Sequence, residues 1–542
     1  MPSRLAAVLL LCFAPASDFA EEGRKPVRLR GTVLDADSGR PLACRIYIQA
    51  EGGECFFPKS ESPHGSALTY RKKRDDLAKS VEMHTTLSAH PFVIDLSAGR
   101  YTVTVERGKE YFPLTQQVMI GDEAVDESFK LRRWTNLPER GWYSGDTHVH
   151  RALEELPNLL LAEDLNVAFP LTYWVTEAFT SPRTATRSNK AGIEPKAIAV
   201  DPIHVYYPVN TEYEIFTVNQ KAHMLGAVFV LNHKTAFEEG VPPVGPVARR
   251  ARKESALLEL DKHNWPWSMA IVPLMQVDLF ELANNHCWRT EFAFGGWAER
   301  EARYMNVERE AKGWTEWGWI DFGFQNYYAL LDCGFRLRPT AGTASGVHPV
   351  PVGFGRVYVH LADGFTYEKW LRGLNEGRSF VTTGPMLFVQ VNGQDPGHVF
   401  KQPEAMRTYQ VTGSAISALP LDRIEIVVNG VVAHKLNPAN RRTATGAFES
   451  SLDTKIQIDH SSWIAVRCFE DRADKRVRFA HTGPCHVEVA GKPLRPRREE
   501  VEYLVQRVED QITRSADILP KAALDEYREA LRSFQEIAKV AR

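Results

Sequence analysis

Residues 142–151 read WYSGDTHVHR, and how the chain divides is decided here. Successive side chains of a strand point to opposite faces, so Asp146, His148 and His150 share one face. Two imidazoles on one face can share a metal ion, although a lone His-x-His also fits a plain solvated strand. From Trp142 onward apolar strands alternate with longer helical or looped stretches, the rhythm of a β/α domain. Candidate strands cover residues 142–149, 166–172, 212–217, 226–231, 257–260, 277–283 and 335–340, with helical spacing over 319–333. The expected architecture is multidomain, with a distorted central β/α barrel over 140–385 between two β-sandwiches and a helical tail.

On a β/α barrel the strand ends converge on one mouth, so ligands distant in sequence can meet there. Glu212 and Glu214 share a face in NTEYEIF, His223 opens the next strand, and His233 sits where VFVLNHK leaves it. His263 follows in LDKHNWPW, and FELANNHCWR brings Glu281, Asn284, Asn285 and His286. One histidine after a strand is usually structural, but four such segments in one domain point to a bound metal. The candidate ligands are His148, His150, Glu212, His223, His233 and His263.

Over residues 140–385 these motifs resemble the polymerase and histidinol phosphatase (PHP) superfamily, and within it the CehA/McbA branch of metallohydrolases. The resemblance implies that His148 and His150 open the barrel and that Glu212 is a bridging carboxylate. It also matches His223 in HMLG, with His233 competing for that place by its strand-end position, and His263 followed by Glu281 to Asn284. Two departures reduce the implied centre. The family's Thr-Asp-His is Thr172-Tyr173-Trp174 here, and its closing Ser-Asp-x-His is GTASGVH, where His348 is displaced by two residues and followed by Pro349. One or two divalent transition metals, zinc, manganese or iron, are therefore expected rather than three.

The implied chemistry is hydrolysis of an ester, amide or carbamate, or phosphoester bond by a water activated on the metal. Asp146 is expected to orient a ligand histidine, and Glu214, Glu281 or His286 to move the proton. Arg289 either holds an anionic group of the substrate or forms a structural ion pair. Trp265, Trp267, Trp288, Trp297, Trp314, Trp317 and Trp319 either floor a pocket for a small aromatic or sugar-containing substrate or are core. The basic run Arg249, Arg250, Arg252 and Lys253 reads as a solvated helix face or a lid. A competing expectation is a secreted, non-catalytic binding protein on a degenerate barrel.

Outward from the centre, residues 27–135 show short alternating runs broken by turn signals, and GTVLDADSGRPLACRIYI resembles the carboxypeptidase-regulatory β-sandwich module. β signals return over 386–492, and 497–542 carry apolar positions at helical spacing. Arg4 followed by the apolar run Leu5 to Phe13 and small residues up to Ala20 reads as a cleaved signal peptide over 1–20, hence a secreted or periplasmic protein. That run falls short of the ~20 residues of a membrane span, so no membrane anchor is expected. Of seven cysteines, six lie beyond the leader without a CxxC pair, and Cys44 with Cys55 or Cys468 with Cys485 either pair or stay free thiols. A net charge of -2 gives no electrostatic reason to expect nucleic acid as a partner.

Overall fold

The structure is a computed structural model, and it describes residues 25–74, 81–184, 192–294, 301–311, 313–403 and 406–542. The expected leader and Trp297 lie outside the described residues.

The N-terminal part is two sheets face to face. One orders the strands Val125–Leu131, Val27–Asp35, Phe92–Leu96 and Lys59–Ser60, and the other runs from Ala67–Lys73 through Val81–Leu87, Cys44–Ala50 and Gly99–Glu106 to Leu114–Ile120. Alternation puts Leu29, Ile46, Val103 and Phe129 between them, all fully buried.

The central strands are β1 (Trp142–Val149), β2 (Val167–Pro170), β3 (Tyr173–Glu177), β4 (Thr211–Val218), β5 (Lys221–Leu231), β6 (Leu257–Leu260), β7 (Leu279–Ala283), β8 (Arg338–Ala341), β9 (Arg356–His360) and β10 (Ser379–Thr382). The helices of this region are α1 (Leu156–Glu163), α2 (Gly245–Glu254), α3 (Ser268–Met275), α4 (Glu316–Asp332) and α5 (Tyr367–Glu376). Every residue of β1 is buried, which fits a strand covered on both faces. Helix α4 starts where Thr315 caps it by accepting a hydrogen bond from the Gly318 amide.

The strands expected to make a distorted β/α barrel do not pair as one closed ring among the described residues. Pairing gives two mixed sheets, one ordered β3, β4, β5, β6, β7, β8 and the other containing β2, β1, β9 and β10. In the first, β4 and β5 form an antiparallel hairpin and β5 pairs antiparallel with β6, so not all strand ends point the same way. The two sheets meet at short seams. The His150 amide donates to Ser345 O, and Ala344 N to His148 O.

The second sheet does not stop at residue 385. It continues from β10 into Phe479–Thr482, Ser462–Glu470, Leu421–Val428 and Val431–Leu436, and faces a smaller sheet built on Met386–Val391, Arg407–Ser417 and Phe448–Ile458. The central and C-terminal β regions are thus hydrogen-bonded as one sheet. The chain ends in two packed helices, α6 (Arg498–Ser515) and α7 (Lys521–Ala538), which cover α3. The six cysteines of the described residues are free thiols.

Candidate metal centre

The end of β1 carries His148 and His150, and the start of β4 carries Glu212. His148 Nε2 lies 3.2 Å from His150 Nε2, and His150 Nε2 lies 3.1 Å from Glu212 Oε2, with His148 Nε2 3.9 Å from Glu212 Oε1. Ligands about 2.1 Å from one ion sit roughly 3.0 to 3.5 Å apart in octahedral or tetrahedral arrangements, so these spacings suit a shared ion. His148 and Glu212 are inaccessible, and His150 is 10% exposed. Neither oxygen of Glu212 receives a hydrogen bond from the described residues, although both lie near ring nitrogens. The Lys262 ammonium stands 3.7 Å from Oε1, which leaves Oε2, the oxygen facing His150, open to a cation among the three residues.

A second group shares His148 through its other nitrogen. His148 Nδ1 lies 3.0 Å from Glu281 Oε2 and 3.9 Å from Asp261 Oδ1. An Nδ1 proton donated to Glu281 leaves the Nε2 lone pair free for an ion, the usual carboxylate and histidine pairing behind a metal. Glu281 is itself held by the Asn285 amide at 2.8 Å. The loop from Gly342 presses on this pair. A Cβ at Gly342 would stand 2.3 Å from His148 Cβ and 3.0 Å from the Glu281 carboxyl, so only glycine lets the backbone pass.

Asp146 has a different role from the one expected. It accepts from the His148 amide at 3.0 Å, the Thr343 hydroxyl at 2.6 Å and the Gly353 amide at 2.8 Å. It therefore fixes the backbone of β1 and the 343–353 loop, while Glu281 orients the ring. Burial raises the Asp146 carboxyl to about 6, against those hydrogen bonds. Burial likewise raises Glu259, which accepts from the Thr147 and Thr340 hydroxyls, to about 8. His148 is held well below its ordinary value by burial and then by His150, so its ring is neutral and its lone pair available.

Three expected ligands lie elsewhere. His223 is six residues before Phe229, which pairs with Glu212, so the extended strand carries it ~20 Å away. Its Nε2 meets Ser515 Oγ of α6 at 3.2 Å. His233 does leave the end of β5, but it bonds Thr211 Oγ1 and Thr235 O, both at 2.8 Å. Thr211 precedes Glu212 and points to the opposite face, and His233 goes with it. His263 packs against Phe280, Trp319 and Phe322, with Nδ1 3.2 Å from Asn326 Nδ2 of α4.

Of the proposed chemical residues, Arg289 takes the ion-pair alternative. It reaches Glu82 at 3.1 Å and Glu106 at 3.6 Å and lies over the Tyr47 ring, tying the N-terminal sandwich to the central region. Glu214 is 2.8 Å from Lys262 Nζ, with burial raising its carboxyl to about 7. His286 packs between Phe294 and Trp319, with Nδ1 3.2 Å from Asn284 Oδ1. His348 lies 3.5 Å from Asn285 Nδ2. Burial keeps both rings well below their ordinary values, so each is a neutral, weakly basic imidazole.

Trp265, Trp267, Trp288, Trp314 and Trp319 are buried core. Trp174 instead stands beside the site, its ring 5.2 Å from His150. In the basic run, Arg250 pairs with Glu239 and Glu254, and Arg252 with Asp278, so these two side chains brace α2. Sequence reasoning missed Asp261 and Lys262, which directly follow β6 as the other strand-end groups follow theirs.

No family model matches this chain, and no curated protein matches it. Among solved structures, a two-domain protein containing a predicted PHP-like metal-dependent phosphoesterase, from Bacteroides vulgatus, aligns over 62% of this chain and 94% of its own. Identity is 10% and the TM-score 0.28, too low a likeness to carry any conclusion about this site.

Proposed function

We propose that this chain is a metal-dependent hydrolase whose ion is held by His148, His150 and Glu212. The observation that carries the reading is the convergence of two imidazole nitrogens and a buried carboxylate that has no hydrogen-bond donor among the described residues. A divalent transition metal bound there supplies Lewis-acid activation of water, lowering its pKa from about 15.7 towards ~7. Glu281 keeps His148 in the ligating tautomer, and Asp146 keeps the strand end in register with the 343–353 loop. Glu214 shares the face of β4 with Glu212, and its carboxyl, raised by burial to about 7, is the group suited to take up and return the proton. Trp174 beside His150 offers a face against which a small aromatic or sugar-containing substrate can lie. The bond cleaved is an ester, an amide or carbamate, or a phosphoester. The resemblance of GDTHVHR and its companion motifs to the PHP superfamily, CehA/McbA branch, supports the same reading.

The test is metal content by plasma mass spectrometry together with a hydrolysis panel spanning those bond types. Activity on one bond type should vanish with chelator and return with added metal, and replacing His148 and His150 together by alanine should abolish metal binding. A folded protein that refuses zinc and manganese overturns the reading. A non-catalytic binding protein is the second reading, favoured by how little of the site reaches solvent, and metal held without turnover on the panel would select it. Export is part of the proposal, with residues 1–20 as its signal. A fusion of residues 1–25 to a reporter should leave the cytoplasm, and retention there sinks that part alone.

A further inference from the structure

Next to the metal ligands, the loop after β6 places Lys262 with only 5% of its side chain exposed. Its ammonium meets three carboxylates. It bonds Asp261, lies 2.8 Å from Glu214 Oε1, and stands 3.7 Å from Glu212 Oε1, above the Trp265 ring at 5.1 Å. Asp261 and Glu212 are inaccessible, and Glu212 Oε1 receives no hydrogen bond from the described residues. Among the described residues no other ammonium or guanidinium pairs with Asp261, Glu212 or Glu214.

We propose that the Lys262 ammonium occupies a second cation position of this centre, one lined by Asp261, Glu214 and Glu212, and so limits the protein to a single metal ion. The inference rests on the metal reading of His148, His150 and Glu212. Three buried carboxylates around one point require a compensating positive charge, because an unpaired buried ion costs several kcal/mol. A lysine supplies that charge from within the chain. Its contacts to Glu214 and Glu212, at 2.8 and 3.7 Å, are longer than the 2.0–2.6 Å of a metal bonded to oxygen, so these oxygens can close on an ion once the ammonium is gone. An all-oxygen set favours a hard ion such as manganese or magnesium, unlike the mixed nitrogen and oxygen set of the first position. Glu212 faces both positions, since one of its oxygens is 3.7 Å from Lys262 and the other 3.1 Å from His150. Removing the ammonium therefore also changes what holds Glu212 against the first ion.

The experiment counts manganese by plasma mass spectrometry on the full chain, equilibrated with the ion and desalted. One ion per chain is expected for the wild type, two for Lys262→Ala and one for Lys262→Arg. Adding His148→Ala and His150→Ala to Lys262→Ala should remove the first ion and keep the second. Lys262→Gln is carried alongside, so that a folding failure of the alanine variant leaves a count to read, again two. One ion in whichever neutral variant folds overturns the inference and leaves the metal reading standing. Two ions in the wild type overturn it without any variant. No ion in the wild type overturns the metal reading and, with it, the single-ion limit.

Discussion

His148 has two ring nitrogens, and each has its own neighbour. Nε2 faces His150 and Glu212, while Nδ1 lies 3.0 Å from Glu281, whose other oxygen is held by the Asn285 amide. A ring anchored in this way presents its lone pair in one direction only, and losing such an anchor commonly costs about 10- to 100-fold in metal affinity. Glu281→Gln keeps the shape but not the charge, so affinity should fall roughly that far, read by competition with a chelating indicator. An unchanged affinity would mean that Glu281 does not orient the ring. His148 and His150 were legible in the sequence because a strand alternates, and Glu212 because it opens a strand of the same domain. Lys262 was not legible, since nothing in LDKHNWPW shows that its ammonium folds back among three carboxylates brought from two strands.

Helix α6 braces the loop that carries Asp261 to Trp265. Arg507 donates to Asn264 O at 3.0 Å and Trp265 O at 2.8 Å, and Tyr503 OH donates to Asn326 Oδ1 at 2.8 Å. Asn326 in turn meets His263, which explains why that histidine serves packing rather than ligation. Arg507 is 4% exposed, so Arg507→Ala takes a buried donor from both carbonyls, of which Trp265 O keeps the Ser268 amide at 3.2 Å. A loss of about 1–3 kcal/mol is expected, measured by urea unfolding followed through tryptophan fluorescence. An unchanged midpoint would mean that water replaces the guanidinium. That the tail is helical was legible from its spacing, but its docking place was not, because an amphipathic pattern gives a face and no partner.

At the scale of the molecule, the join between the central region and the C-terminal sheet contains a buried imidazole. His481 Nε2 lies 2.8 Å from the Tyr328 hydroxyl of α4, and Nδ1 lies 2.7 Å from Thr482 O. Burial lowers its pKa from 6.5 to about 3. Between those values the unfolded chain holds a proton that the folded chain refuses, so stability falls as pH falls. The contribution is complete above pH 6.5 and gone below about 3. His481→Gln retains a side-chain hydrogen-bonding group but does not titrate. Its melting temperature should drop less than the wild type's between pH 7 and pH 4, compared by calorimetry. Equal drops in the two proteins would assign the acid sensitivity to other groups.

Periodicity by itself determined the β-rich ends, the alternating centre, the terminal helices and the face shared by His148 and His150, because strand and helix periods are local properties of the backbone. Which histidines meet was decided by tertiary structure. The antiparallel turn from β4 to β5 swings His223 to the far end of a long strand and turns His233 to the opposite face. In the second sheet, antiparallel pairing runs on through β10 into the C-terminal strands, across a boundary that the returning β signals placed at 385. Strand direction and neighbour order depend on contacts between residues far apart in the chain, and no local pattern encodes them.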